Sequence, residues 1–134
     1  MVSSLFSRVV VAAAALGALA GPAHAQSMSD KDGYDVLLSC AAFFSAAAAV
    51  TESDKKTSDE ATELATAFMT GAVLLAPGGN SDAAEKALEE QAQIFAVAMV
   101  ADDKAMTKDL KDLADNCGTL GEEYLPEVLA RAGE

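Results

Sequence analysis

Apolar residues recur every three or four positions through most of this 134-residue sequence. That spacing places them on one face of an α-helix, whereas a half-buried strand would alternate apolar and polar residues. Alanine, leucine, glutamate, lysine and methionine, which all favour helices, dominate the sequence from residue 26 onwards. The sequence therefore predicts an all-α fold.

The first two helices are predicted from their ends. One helix should span residues 29–51, beginning at a serine or aspartate that can cap it. Thr57 and Glu60 have the spacing of a capping box and predict the start of a second helix. This helix should end at about Ala76, because Pro77–Gly79 follows. Its predicted inner face carries Leu64, Phe68, Ala72 and Leu75.

Two further long helices follow, and a short one closes the chain. Residues 80–82 offer three alternative N-caps for the third helix. Only the polar cluster at residues 102–104 separates it from the fourth helix, which Gly118 is predicted to end. In the tail, Pro126 suits the first turn of a short final helix that should pack over the beginning of the first helix. Four phenylalanines are expected in the core: Phe43, Phe44, Phe68 and Phe95.

Two cysteines, Cys40 and Cys117, lie 77 positions apart. This separation does not fit a CxxC redox or zinc motif, and in an oxidising compartment it predicts one structural disulfide, with two buried free thiols as the alternative. A single helix over residues 82–117 would carry Cys117 far past Cys40, whereas a disulfide needs Cα atoms within about 7 Å. The chain should therefore turn back near Asp102. The prediction is a small up-down-up-down four-helix bundle with a short C-terminal helix, stapled by one disulfide.

Residues 1–25 have the features of a cleaved export signal. Arg8 gives a positive start, Val9–Ala20 is an apolar run, and Ala23–Ala25 places small residues at the −3 and −1 positions of a cleavage site. The run is too short for a membrane anchor, since about 20 apolar residues are needed to span a bilayer. We expect a periplasmic or secreted product and a single helical domain over residues 26–134, without a membrane span.

Charge narrows the choice of partner. The chain has 21 acidic and 9 basic residues and a formal net charge of −12 at pH 7. Loss of Arg8 with the signal would make the mature chain more acidic still. This sign argues against a nucleic acid or an anionic membrane surface as the partner.

The residues needed for common enzyme chemistry are missing. The single histidine, His24, lies in the predicted signal, so no serine or cysteine of the mature chain has an imidazole base. Phosphate-binding and di-iron motifs do not occur either. Asp30 and Asp32 match two positions of a calcium loop, but Ser39 stands where the bidentate acid should be. We expect no enzymatic activity, no cofactor and no metal.

Two other patterns favour structural roles over binding roles. Gln91 interrupts an apolar stripe and is interpreted as a residue at the edge of the core. Three methionines, Met69, Met99 and Met106, could suggest copper(I) ligands, but their spacing is more typical of core filling.

The main functional hypothesis is a binding module for a cationic protein or peptide, which the negative charge would attract. If the acidic surface is functional, the stretches at residues 54–63 and 122–127 are the first candidates. Ordinary solvated surface is the preferred interpretation of both stretches.

Three alternatives stay open. The chain is similar in size class and cysteine number, though not in residue pattern, to the periplasmic acid-stress chaperones of enteric bacteria. That resemblance implies a chaperone activated when acid neutralises the carboxylates and loosens an alanine-rich core. A structural or adaptor protein is the second alternative. An apolar ligand carrier is the third, and it would need the bundle to open between the first and fourth helices.

Overall fold

The computed structural model describes residues 28–101 and 103–131, and the predicted export signal lies outside them. Every regular element in this part of the chain is helical, which confirms the all-α prediction. A single 3₁₀ turn, Pro77–Gly79, links the second and third helices. The α-helices are α1 (Asp30–Val50), α2 (Lys55–Leu75), α3 (Ser81–Val100), α4 (Lys104–Glu123) and α5 (Leu125–Arg131).

Helix α1 begins and ends where the sequence predicts. The Ser29 hydroxyl accepts a hydrogen bond from the backbone N–H of Asp32 at 3.2 Å, which caps the first turn. The acidic side chains of Asp30 and Asp32 lie near the positive end of the helix dipole. At the other end the N–H of Thr51 donates to the carbonyl of Ala47. Asp30 and Asp32 therefore stabilise the N-terminal end of α1.

The start of α2 differs from the prediction. Asp54 is the N-cap, and its carboxylate accepts a hydrogen bond from the N–H of Thr57 at 3.3 Å. Since Asp54 already satisfies that N–H, the helix begins three residues earlier than the Thr57–Glu60 capping box implied. Leu64 was also wrongly placed on the inner face and is 44% exposed. The buried stripe of α2 consists instead of Ala61, Ala65, Phe68, Ala72 and Leu75.

The boundary between α3 and α4 confirms the predicted break. Asn80 caps α3, accepting from the N–H of Ala83 at 3.1 Å. Asp103 caps α4 through hydrogen bonds from the N–H groups of Ala105 and Met106. Gly118 does not end α4, which continues to Glu123, so that prediction was wrong. An isolated glycine weakens a helix without ending it. Helix α4 continues past Gly118 because Leu120, in the following turn, is buried in the core.

Contacts between helices give the directions of the bundle. The Ser39 hydroxyl of α1 donates to Gln91 of α3 at 3.3 Å, and one turn later the rings of Phe43 and Phe95 meet at 5.9 Å. From the first pair to the second, the residue numbers rise by four in both helices, so α1 and α3 run parallel. Helix α2 is antiparallel to α1, since Ser58 near its start bonds the carbonyl of Ala48 near the end of α1. The alternation is the predicted up-down-up-down order.

The disulfide joins Cys40 of α1 to Cys117 of α4, with a Cα–Cα distance of 5.6 Å. Both cysteines are completely buried. Beyond the disulfide, Tyr124 lies against Gly33 in the first turn of α1, whereas Leu125 and Val128 lie with Leu37 beside Gly71 of α2. The tail therefore reaches the beginning of α1 as predicted, through Tyr124 and the Arg131–Asp30 ion pair, but α5 itself packs mainly against α2 and α4 rather than over α1. Pro126 lies in the first turn of α5, as predicted.

The four predicted phenylalanines pack together. Phe43 makes edge contacts with Phe44 and Phe95, and Phe44 stacks on Phe68 at 5.6 Å. Alanines occupy much of the remaining core, which lets α1 lie close to its neighbours.

Among the described helices, α1 alone is long and apolar enough to span a bilayer, with a mean hydropathy of 1.6. Half of that stretch is buried inside the bundle, as expected for a central helix.

Candidate binding groove

An open groove lies between α2 and α3, with α1 as its floor. Helix α1 packs along both of these helices, whereas α2 and α3 touch each other at few points. The groove has a volume of about 590 Å³. Ser45 and Ala48 line it from α1, and Leu88 lines it from α3. Helix α2 supplies the remaining wall, formed by Thr62, Ala65, Thr66, Met69, Thr70, Val73 and Leu74.

Small side chains explain why this groove stays open. Alanine, serine and threonine occupy the upper part of the wall and floor, and none of them is long enough to reach across to α3. At the lower end, the α2–α3 connection turns through Gly78 and Gly79, which have φ angles of 67° and 66°. Glycine adopts this left-handed conformation without strain. The connection therefore joins α2 and α3 while both helices remain packed on α1, which separates them.

Three threonines form a row along the α2 wall, one turn apart. Thr62 donates its hydroxyl proton to the carbonyl of Ser58, Thr66 to that of Thr62, and Thr70 to that of Thr66, at 2.8–2.9 Å. Each hydroxyl donor is therefore already used within the helix. What remains for a ligand is the γ-methyl group and the lone pairs of the oxygen. The row can accept hydrogen bonds and make apolar contacts.

Apart from Ser45, the other groove residues are apolar. Met69, Val73 and Leu88 are partly buried, and Leu74 is 43% exposed. Apolar side chains that are exposed singly are ordinary on a protein surface, whereas a contiguous set along one groove marks a candidate interaction site. The lower half of the groove therefore offers apolar surface to a partner.

Carboxylates flank the groove at both ends. Asp59 and Glu63 are one turn from Thr62 or Thr66, so helical spacing places them beside the upper end. Glu85 precedes Leu88 by three residues and belongs to the α3 edge. Asp59 is bonded to Lys55 at 2.8 Å, and among the described residues Glu63 and Glu85 make no ion pair. The rim of the groove is therefore negatively charged.

The acidic stretches predicted as candidate surfaces are in different places. Residues 54–63 form the first turns of α2 and are mostly exposed, and their later part borders the groove. Residues 122–127 span the α4–α5 junction, where Tyr124 and Leu125 are buried and the acids are exposed. The structure therefore links only the first stretch to the groove.

The remaining sequence candidates are explained by local structure. Gln91 accepts the hydrogen bond from Ser39 and is half-buried, as an edge residue would be. Met69 lies on the groove wall, while Met99 packs against the core from α3. Asp30, from the calcium-like segment, is 3.2 Å from the guanidinium of Arg131. No group of three or more histidine, cysteine, aspartate or glutamate residues able to hold a metal occurs in the described ranges.

Tyr124 is the one unusual polar group of the core. Its side chain is 1% exposed, and its hydroxyl has no hydrogen-bond partner within the described structure. Burial raises the pKa of this phenol, Arg131 acts against the rise, and the carboxylates of Asp30 and Glu127 add to it. The hydroxyl lies against Gly33, where a side chain would collide with it. The Tyr124 side chain therefore packs α1 against the tail.

Comparison with known proteins gives no relative. No protein-family model matches the chain, and neither the curated proteins nor the solved structures give a significant match. The groove, the charge and the disulfide are therefore the observations from which a function can be argued.

The sequence contains a signal for this groove that the spacing of apolar residues does not reveal. Thr62, Thr66 and Thr70 recur every four residues, which places them in one row beside the buried alanines of α2. A stripe of small residues predicts close packing of a neighbouring helix, yet the threonine row of α2 faces the open groove. Whether such a stripe is covered depends on the distance between α2 and α3, which local sequence does not encode. A ligand carrier would need an opening between the first and fourth helices, and the Cys40–Cys117 disulfide joins these two helices.

Proposed function

We propose that this protein is an exported, non-enzymatic binding module for a cationic protein or peptide. The observation that carries the proposal is the groove between α2 and α3, which combines apolar side chains, hydrogen-bond acceptors and a carboxylate rim. A cationic side chain has donors only, so it complements a surface whose donors are already used. The net charge of −12 would attract such a partner over a distance.

Export is part of the proposal, and the disulfide supports it. Disulfides persist in oxidising compartments and are rare in the cytosol, where thiols are kept reduced. Cys40 and Cys117 are buried and close a loop of 77 positions, which is the arrangement of a structural bond. The features of residues 1–25 agree with the same location.

The test is a pull-down from an envelope extract with the immobilised protein, at low and high salt and again at pH 3. The proposal expects recovery of one or a few basic proteins at low salt and their loss at high salt, because salt screens charges beyond about 10 Å at 0.1 M. Recovery that ignores salt, or recovery of acidic proteins, would contradict it. Broad capture of unfolded proteins only at pH 3 would favour the acid-activated chaperone. Recovery of nothing under any condition would favour an adaptor without this partner class.

A further inference from the structure

We propose that the partner presents a basic amphipathic α-helix, whose apolar stripe lies in the groove between α2 and α3. This inference rests on the proposed function and specifies its partner. Exposed apolar surface alone would fit many occupants. The shape of the groove, its hydrogen-bonding capacity and the position of its charges together select this one.

The groove has the length of a short helix. Its α2 wall extends from Thr62 to Leu74, which at 1.5 Å per residue is about 18 Å. A ligand helix of about twelve residues has the same length. Amphipathic helices bind open grooves of this kind through apolar residues at i, i+3, i+4 and i+7, and the rest of their surface stays in water.

The chemistry of the wall favours basic residues beside that stripe. An occupant near Thr62 and Thr66 meets hydroxyl oxygens that can only accept, so a lysine or arginine can bond there and a carboxylate cannot. Glu63 at one end and Glu85 at the other can each pair with a basic side chain that flanks the ligand's apolar face. An acidic or neutral helix would lack these contacts.

Two other occupants fit less well. A second copy of this chain would bring another net charge of −12 to an acidic rim, which opposes association. A small apolar molecule usually has 70–90% of its surface buried in its pocket, and this groove is open along its length. Charge and shape together therefore favour a cationic helix.

The probe is a synthetic peptide of about twelve residues, with leucine at i, i+3, i+4 and i+7 and lysine or alanine elsewhere. A control peptide has the same composition in an order without an apolar stripe, and a second control replaces lysine with glutamate. Binding is measured by calorimetry and by the gain of helical circular dichroism, since a free peptide of this length is mostly unfolded. We expect the striped basic peptide to bind about tenfold more tightly than the permuted one, and the acidic one not to bind.

Two variants of the protein locate the site. Thr66→Trp fills the groove and should weaken binding of the striped peptide by about tenfold or more. Thr107→Trp on α4 is the matched control, because Thr107 is exposed and makes the same hydrogen bond to the carbonyl four residues earlier. It should change affinity by no more than about twofold. The variants' melting temperatures show whether each remains folded.

A charge pair tests the rim. Glu63→Gln with Glu85→Gln should weaken binding about five-fold at low salt and have little effect at high salt. Asp112→Asn with Glu122→Gln removes the same charge from exposed positions of α4 and should have a smaller effect. Equal losses in both pairs would show that only overall charge matters, and would overturn placement in the groove.

The outcomes separate the two proposals. Basic peptides could bind with an affinity that depends neither on the order of their residues, nor on Thr66→Trp, nor on the rim charges. In that case the proposal of a cationic partner stands and the helix-in-groove inference fails. If the acidic control binds as well as the basic peptide, or if no basic peptide binds at low salt, the proposed function fails as well.

Discussion

The buried hydroxyl of Tyr124 makes a residue-scale prediction. Because this group has no hydrogen-bond partner among residues 28–101 and 103–131, removing it sacrifices no hydrogen bond there and relieves the desolvation of an unsatisfied polar atom. Tyr124→Phe should therefore leave the free energy of unfolding unchanged or raise it by up to about 1 kcal/mol. Urea denaturation provides the measurement. A loss of more than about 1 kcal/mol would show that the hydroxyl does have a partner.

The same residue predicts a pH dependence. Burial raises the pKa of the Tyr124 phenol, so above about pH 10 the unfolded chain loses this proton before the folded protein does. The contribution is fully present below the unfolded pKa and is lost as the pH rises through the folded one. Wild-type protein should consequently lose stability faster than Tyr124→Phe as the pH rises above about 10. Parallel stability curves for the two proteins would contradict this.

Gly33 tests the close contact between α1 and the tail. A β-carbon at Gly33 would collide with the Tyr124 hydroxyl and lie 2.8 Å from a methyl group of Leu75. Gly33→Ala should therefore lower the free energy of unfolding by about 1–3 kcal/mol, despite the better helix propensity of alanine. Adding Tyr124→Phe should restore part of this loss in a double-mutant cycle. Strictly additive effects would mean that the two residues do not touch.

At the scale of the helix, Gly118 is the contrasting glycine. It lies inside α4, is exposed, and has open space where a β-carbon would be placed. Gly118→Ala should stabilise the protein by about 0.5–1 kcal/mol, because only the helix propensity changes. Thermal or urea unfolding measures this. Destabilisation would indicate that α4 ends at Gly118, as the sequence alone suggested.

The start of α2 gives a second prediction at this scale. Asp54→Ala removes the observed cap and should cost about 1 kcal/mol, whereas Thr57→Ala should have little effect because the Thr57 side chain is not the cap. Urea denaturation of both variants compares them directly. The reverse order of effects would restore the capping box formed by Thr57 and Glu60.

The helices themselves were largely predictable because their signals are local. Caps, breakers and apolar spacing determine α1 and the break before Asp103, and the cysteine separation adds the antiparallel return of α4. Two predictions for α2 were wrong. Asp54, rather than Thr57, caps the helix, and small alanines, rather than Leu64, form its buried stripe. The groove was not predictable, since it depends on the spacing between α2 and α3 across α1.

For the whole molecule, the disulfide is the main covalent constraint. Its two cysteines are completely buried, so reductant should reach them only when the bundle opens. The chain-entropy model gives up to about 4.5 kcal/mol for a closed loop of this size. Cys40→Ala with Cys117→Ala should lower stability by a large part of that amount, measured by urea denaturation. Rapid thiol alkylation of the native protein without reductant would show that the bond is absent.

Nuclear magnetic resonance mapping is the most direct test of our proposal that a cationic partner binds between α2 and α3. The striped basic peptide is titrated into isotopically labelled protein, and backbone and methyl shifts are followed. We expect the largest shifts at Thr62, Thr66, Leu74 and Leu88 and no shifts on the exposed face of α4 around Asp112. Shifts that are largest on α4, or spread evenly over all acidic residues, would contradict it.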